Sequence, residues 1–413
     1  MHNNISPHLF VISTFLISIL SFLIFREIGT HEKYFFVPVL GLAVVYGIIN
    51  FIRQRKDNSY FSIQKEIEFY PLVKKSIARY LVWLVIIYAG YKFYELHPLY
   101  KQIEKNLTFF SYFFQLYLIF GLPYFFVTLI FKSSPKEDFY DPAIRMIHIV
   151  KQISLRIFQR DNSRPIFGVL KKQYNKKVLL NLLMRGYFIP FMVIQVYVNI
   201  NDSIRFSEGN FKGYDFLTIL MWTSAILWLT DTLNASMSYC IESRWIENRS
   251  RSIDMTVGGW LVCLACYAPI NNITGTLFPF GPFAASKNPD SIFLQDITFI
   301  YFIKILEITV LVFHVYADCS LGPSIANITF KKLQTRGLYG MIRHPGTTFK
   351  LLLWWVQAGF YREFWRIDFL FGHIMWNVIY ILRAITEERH LGKFEEYREY
   401  VKKVKHRFIP WVV

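Results

Sequence analysis

Two short stretches carry most of the groups that could do chemistry: "GLYGMIRHPGT" at 337–347 and "RAITEERHL" at 383–391. Pro345 suits the first turn of a helix and pushes His344 toward an extended backbone, so His344 is expected at a loop-to-helix junction. Tyr339 lies five residues before it. Arg383 and Glu387 are four apart and share one face of a helix. Brought together, the two stretches form a cationic, hydrogen-bonding cluster beside an acidic one. That combination suits a polar, charged cofactor that serves an apolar substrate.

The surrounding elements must bring these stretches together, and the composition says what they are. The 413 residues are 54% hydrophobic and 19% aromatic, too apolar for an ordinary soluble chain of this size. Apolar runs near the roughly 20 residues a bilayer demands lie at about 9–25, 34–52, 77–95, 108–131, 178–200, 214–237, 255–272 and 296–317. Two shorter ones, at about 348–361 and 367–384, read as a helical hairpin. Spans must be helical, because lipid offers no partner for free backbone groups. The expected fold is therefore all-α: a polytopic transmembrane bundle of about eight spans, a C-terminal hairpin and an amphipathic tail helix. The first run lacks a basic leader and a small-residue cleavage site and is expected to be a span. The chain divides by chemistry into a region 1–254, which includes a basic loop at 132–177, and a region 255–413 that carries the candidate pocket.

A net charge of +17 would suggest nucleic acid in a soluble protein. Here the basic residues collect in loops, as they do on the cytoplasmic side of membrane proteins, and no nucleic-acid partner is expected. "RQRKDNSYFSIQKEI" after the second run, "KKQYNKK" at 171–177 and "ESRWIENRSRS" at 242–252 fall on one side if the spans alternate. That predicts both termini in the cytoplasm. Within the 132–177 loop, "AIRMIHIVKQISLRIFQR" has apolar residues at helical spacing with basic ones between, which predicts a helix on the inner leaflet. Charges inside spans are expensive. Lys304 and Glu307 are placed to pair with each other, or to face a polar cavity. Asp231 sits in a polar band with Thr230, Thr232 and Asn234, lining a pocket or making helix contacts. The C-x-x-C of Cys263 and Cys266 has no second pair nearby, so it reads as small residues in a packed helix, and no metal site is expected. Trp354 and Trp355 read as an interfacial anchor.

The ordered pattern G-x-Y-x-x-x-R-H-P, an apolar hairpin, R-x-x-x-E-E-x-x-L and E-Y-x-x-Y-x-x-x-V resembles the C-terminal region of the isoprenylcysteine carboxyl methyltransferase family, whose outline phospholipid methyltransferases share. The match covers about residues 320–410. It implies an integral membrane enzyme that transfers methyl groups from S-adenosyl-L-methionine to a lipid or lipidated acceptor, in a bacterial inner membrane or the endoplasmic reticulum. Carried over by position, Gln334, Tyr339, His344, Pro345 and Glu387 would contact the cofactor. Arg383 would face the substrate, where a guanidinium can hold a carboxylate. An anionic acceptor would need alignment rather than a base; an alcohol or amine would need one, from His344 or Glu387.

One position departs from the family pattern. Where the family usually reads R-H-P-x-Y, this chain reads His344-Pro345-Gly346-Thr347-Thr348; Thr347 stands where the Tyr should be, so an aromatic contact to the cofactor is missing. Phe349 and Tyr339 are the aromatic groups that could replace it. Sterol and steroid reductases, which use NADPH, also carry a late H-P-x-Y and an acidic C-terminal helix, and they form the alternative reading. A catalytically inactive membrane scaffold is the third.

Overall fold

The computed structural model describes residues 6–54, 68–98, 104–131, 141–158, 166–208, 216–268, 270–279 and 291–410. These form fourteen α-helices and almost no strand. In order they are α1 Pro7–Ile28, α2 Phe36–Gln54, α3 Phe69–Leu96, α4 Glu104–Ile130, α5 Pro142–Phe158, α6 Ile166–Leu170, α7 Gln173–Ser207, α8 Phe216–Cys240, α9 Val257–Leu264, α10 Ile270–Leu277, α11 Ile297–Ser320, α12 Pro345–Gly359, α13 Ile367–Leu391 and α14 Glu395–Lys403. Seven of them (α1, α2, α4, α7, α8, α11 and α13) are long and apolar enough to cross a membrane. The expected all-α polytopic bundle is the observed fold.

Helix α1 shows why lipid is its solvent. Its buried residues include Ser13, Thr14, Ser18 and Ser21, while Leu16, Leu20 and Leu23 are exposed. That pattern is inverted relative to a soluble helix, and it lets small residues pack closely while apolar ones face hydrocarbon. The hydroxyls are satisfied inside: Thr14 Oγ1 donates to Phe10 O at 2.7 Å, and Tyr46 OH donates to Asn234 Oδ1 at 2.9 Å.

Three expected elements differ. The run at 77–95, expected as a span, lies in α3, which is not among the seven helices long and apolar enough to cross a membrane. The run at 255–272 is not one span. It is broken into α9 and α10, of eight residues each. The turn between them is closed by Cys266 N donating to Cys263 O and Tyr267 N to Leu264 O, and the sequence places Pro269 just after it. The hairpin's second arm is in turn a full-length helix, α13, of 25 residues. Trp354 is buried against Cys266, Trp376 and Tyr380, and Trp355 donates from Nε1 to Asn377 Oδ1 at 3.2 Å. Trp354 is a core residue, which corrects the expected interfacial anchor there; Trp355 is half-buried, packed against Phe364 and His373.

Packing divides the chain into two compact units. The first comprises Met1–His31, Val37–Tyr46 and Phe191–Val413, so the chemical boundary at 254 falls inside it. Here α1, α8, α11 and α12 pack on one another, and α9 packs on α13. Leu227, Val310, Leu311, Val315, Leu353 and Val356 form the central core. Two minimal pairings pin opposite ends of the bundle. Strand β1 (Ser252–Ile253) pairs antiparallel with β2 (Thr329–Phe330), which holds the start of α9 beside the chain leaving α11. A bridge between Ile292 and Tyr361 holds the approach to α11 beside the end of α12.

The second unit comprises Glu32–Phe36 and Gly47–Pro190. Helices α3 and α4 pack through Tyr80 and Tyr117, whose rings stack at 5.4 Å. Asp141 caps α5, accepting from Ala143 N at 2.9 Å, and pairs with Arg79 at 3.0 Å. Helix α5 is the expected amphipathic helix: Ala143, Arg145 and Ile149 are buried, and Ile147, Val150 and Ile157 are exposed. Most of the basic stretch at 53–67 and parts of the 132–177 loop lie outside the described residues.

Candidate functional site

The last turns of α13 build two distinct constellations on two sides of one helix. Successive helical residues are rotated by roughly 100°, so Glu387 and Glu388 face different ways. Arg383, Thr386, Glu387, His390 and Leu391 line one wall of a recess. Its other walls are Asp254, Gly259, Asn327, Ile328 and Thr329. Its enclosed space is small, about 20 Å³, and it opens outward.

The β1–β2 pairing makes this recess. Asp254 N donates to Ile328 O at 2.8 Å, fixing the Asn327–Thr329 strip across from α13. Ile328 takes φ +48°, a left-handed conformation that a β-branched residue adopts only under constraint. Asp254 is 2% exposed. Its Oδ1 accepts from Thr256 N at 2.9 Å and from Thr256 Oγ1 at 2.7 Å, and its Oδ2 accepts from Arg389 at 3.3 Å. Burial alone would raise this carboxyl; the Thr256 hydrogen bonds, with His390 and Arg389 nearby, outweigh it and hold the carboxyl below its ordinary range. Gly259 makes room for it, since a Cβ there would fall 2.1 Å from Asp254 Oδ2.

Arg383 is anchored in the recess. It donates to Tyr267 OH at 3.3 Å and to Asn327 Oδ1, and its guanidinium stands 5.7 Å from the ring centres of both Tyr267 and Tyr380. Asn327 Nδ2 donates to Tyr267 OH at 3.0 Å, and Tyr239 OH accepts from Asn327 N at 2.7 Å. Glu387 stands exposed at the mouth. Among the described residues its carboxylate has no hydrogen bond and no ion pair.

Glu388 belongs to the other constellation. Its Oε1 accepts from Arg343 Nε at 2.7 Å and from His344 Nε2 at 3.1 Å. Its Oε2 accepts from Arg407 Nε at 3.0 Å and Nη2 at 2.8 Å. The backbone completes a clasp: Arg343 N donates to His406 O and His344 N to Arg407 O, both at 3.0 Å. Thr348 Oγ1 donates to Phe408 O at 3.2 Å. The Arg-His-Pro segment, the end of α13 and the C-terminal tail are thus tied together by one carboxylate.

The sequence-derived site residues therefore separate. Arg383 and Glu387 share the recess, as their spacing implied. His344 is 8% exposed and engaged by Glu388, and Pro345 is buried at the first turn of α12; neither lines the recess. Gln334 does not line it either: its Nε2 donates to Ser320 O at 2.8 Å, and its Oε1 accepts from Thr335 N and Arg336 N. Tyr339 does not line the recess; its carbonyl accepts from Tyr400 OH at 2.7 Å. Burial pushes its phenol well above the ordinary value, and Asp318, Glu387 and Tyr400 reinforce the shift, so it stays protonated and cannot act as a base. The expected pairing of Lys304 with Glu307 is observed at 2.8 Å.

Sequence reasoning missed Asp254, Asn327 and Glu388. The first two reach the recess through a two-residue strand pairing that leaves no periodic signal. The third was legible only as "EE", where helical phase decides which carboxylate faces which partner. Compared with family models, with curated proteins and with solved structures, the chain has no match in any of the three.

Proposed function

We propose that this protein is an integral membrane methyltransferase that uses S-adenosyl-L-methionine and acts on a lipid or lipidated acceptor. One observation carries the reading: an exposed, unpaired Glu387 carboxylate shares a recess with an anchored Arg383 at the end of a long apolar helix. The residues present fit the cofactor in part. Glu387 can accept from ribose hydroxyls or an ammonium group, and the Asn327 amide and Thr386 hydroxyl lie on the same walls. His344 and Pro345 do not reach it; their part is to position α13 and the tail through Glu388.

When bound, the cofactor supplies a methyl group on a sulfonium, which needs a nucleophile in line more than it needs an acid or base. Arg383 engages Tyr267 through Nη1 and Asn327 through Nη2; its remaining N–H donors can hold an anionic acceptor. Glu387 orients the cofactor's polar end, and Asp254, held ionised by Thr256, fixes the opposite wall. The basic loops support placing both termini and the recess on the cytoplasmic side, of a bacterial inner membrane or the endoplasmic reticulum.

The test is ligand binding by the purified full-length protein in detergent, titrated separately with S-adenosylmethionine, its demethylated product and NADPH. The expected result is saturable binding of the first two, lost in Glu387→Ala. Binding of NADPH alone would sink the proposal in favour of the reductase reading, and binding of neither would favour the scaffold.

A further inference from the structure

Where α8, α11 and α12 meet, His314 is 1% exposed. Its Nδ1 lies 3.2 Å from Gly346 O. A carbonyl oxygen only accepts, so Nδ1 carries a proton and donates it. In the neutral ring, Nε2 is then a lone pair. It has no hydrogen-bond partner and lies 3.9 Å from Asp318 Oδ2. Asp231, from α8, brings a second carboxylate; one ligand atom from each of the three residues lies within 4.8 Å of the other two. Asp231 Oδ1 is likewise buried without a partner. Two carboxylates and an imidazole lone pair turned toward one another inside a helical bundle repel unless a cation, or a proton shared by Asp231 and Asp318, sits among them. The Lys350 ammonium is within electrostatic reach of Asp231 and His314. It offsets one carboxylate at most, and it also stands 5.8 Å from the centre of the Tyr380 ring.

We propose that Asp231, His314 and Asp318 bind a divalent first-row transition-metal ion. The mixed imidazole and carboxylate set favours that class over magnesium or calcium, which take oxygen ligands. The donation from Nδ1 to a backbone carbonyl is the outer-shell contact that orients a metal-bound histidine. Three protein ligands leave a coordination position open. Gly346 acquires a role on two counts. Its carbonyl sets the tautomer of His314, and a Cβ in its place would fall 2.2 Å from Asp318 Oδ1. Gly346 is therefore the residue that makes this site possible. The inference is independent of the methyl-transfer reading.

The test uses the full-length protein in detergent, stripped by a chelator, then titrated with Co²⁺, whose visible absorption reports its ligands, and with Zn²⁺ in competition. One equivalent per chain is expected to bind. Asp318→Asn and His314→Gln should weaken binding on the order of 100-fold, and Gly346→Ala by about 10-fold, given what outer-shell lesions alone cost. Asp231→Asn, nearly isosteric, serves where another variant fails to fold, as judged by thermal melting. Glu387→Ala should bind Co²⁺ like the unmodified chain while losing the nucleoside ligand, so the two readings fail separately. Absence of saturable binding to the folded protein would overturn the site. So would affinity unchanged in folded Asp231→Asn and Asp318→Asn, and a proton shared by the two carboxylates would then be the occupant.

Discussion

Adjacent glutamates on α13 have opposite duties, and the difference is one of helical phase. Glu388 holds Arg343, 7% exposed at its side chain, together with His344 and Arg407. Removing its charge leaves a buried guanidinium without a counter-ion, held only by the Val404 and Lys405 carbonyls, which costs about 3 kcal/mol or more. Glu388→Gln is thus expected to lower the thermal melting temperature sharply, whereas Glu387→Ala, with no partner to lose, should shift stability by no more than about 0.5 kcal/mol. Asp254 gives a second prediction. Its folded carboxyl titrates below the ordinary range, against the push of burial, because Thr256 donates to it twice. A depressed carboxyl contributes stability that is present above its unfolded value, roughly 3.9, and lost as pH falls through the folded value. Melting temperature measured down the acid limb should fall less steeply in Asp254→Asn than in the unmodified chain; identical slopes would contradict the assignment. The sequence made Arg383 and Glu387 legible because i to i+4 spacing survives into the helix. Asp254 and Asn327 were not, since residues 73 apart in sequence share a wall only through the β1–β2 pairing.

At the scale of elements, the long apolar runs were legible and the broken ones were not. Hydropathy counts apolar residues and is blind to a turn among them, so 255–272 read as a span although it forms α9 and α10. Pro345 was the opposite case: a locked φ and a missing N–H mark a helix start in any context, and α12 begins there. The start of α9 is set by Thr256, whose hydroxyl accepts from Gly259 N at 3.3 Å, and by the fit of Gly259 under Asp254. Gly259→Ala is expected to destabilise by about 1–3 kcal/mol through overpacking and to weaken ligand binding in the recess. Its neighbour is the control: a Cβ at Gly258 meets nothing within 4 Å, so Gly258→Ala should be neutral or stabilise by up to about 1 kcal/mol. Paired melting curves decide this, and equal losses in both variants would contradict the packing argument.

For the whole molecule, the inverted burial of α1 and the seven long apolar helices make it a membrane protein. Orientation is a prediction. With the basic stretches on one side, reporters fused after residue 56 and at the C-terminus should both report cytoplasm, and a periplasmic or luminal signal from either would contradict it. The β1–β2 pairing holds the recess at the end of the bundle from which the C-terminal tail emerges, so the same experiment locates the recess. On the proposed reading, apolar helices lead to a polar site at the membrane surface, an arrangement that would suit an acceptor with a lipid body and an ionic head.

That arrangement can be challenged directly. Membranes containing the protein are incubated with S-adenosylmethionine labelled in its methyl group, and the organic-soluble fraction is counted. The account predicts label in a lipid or lipidated product, reduced to background by Glu387→Ala and strongly reduced by Arg383→Ala. Transfer that is absent from membranes holding folded, cofactor-bound protein, or that persists unchanged in both variants, would contradict it.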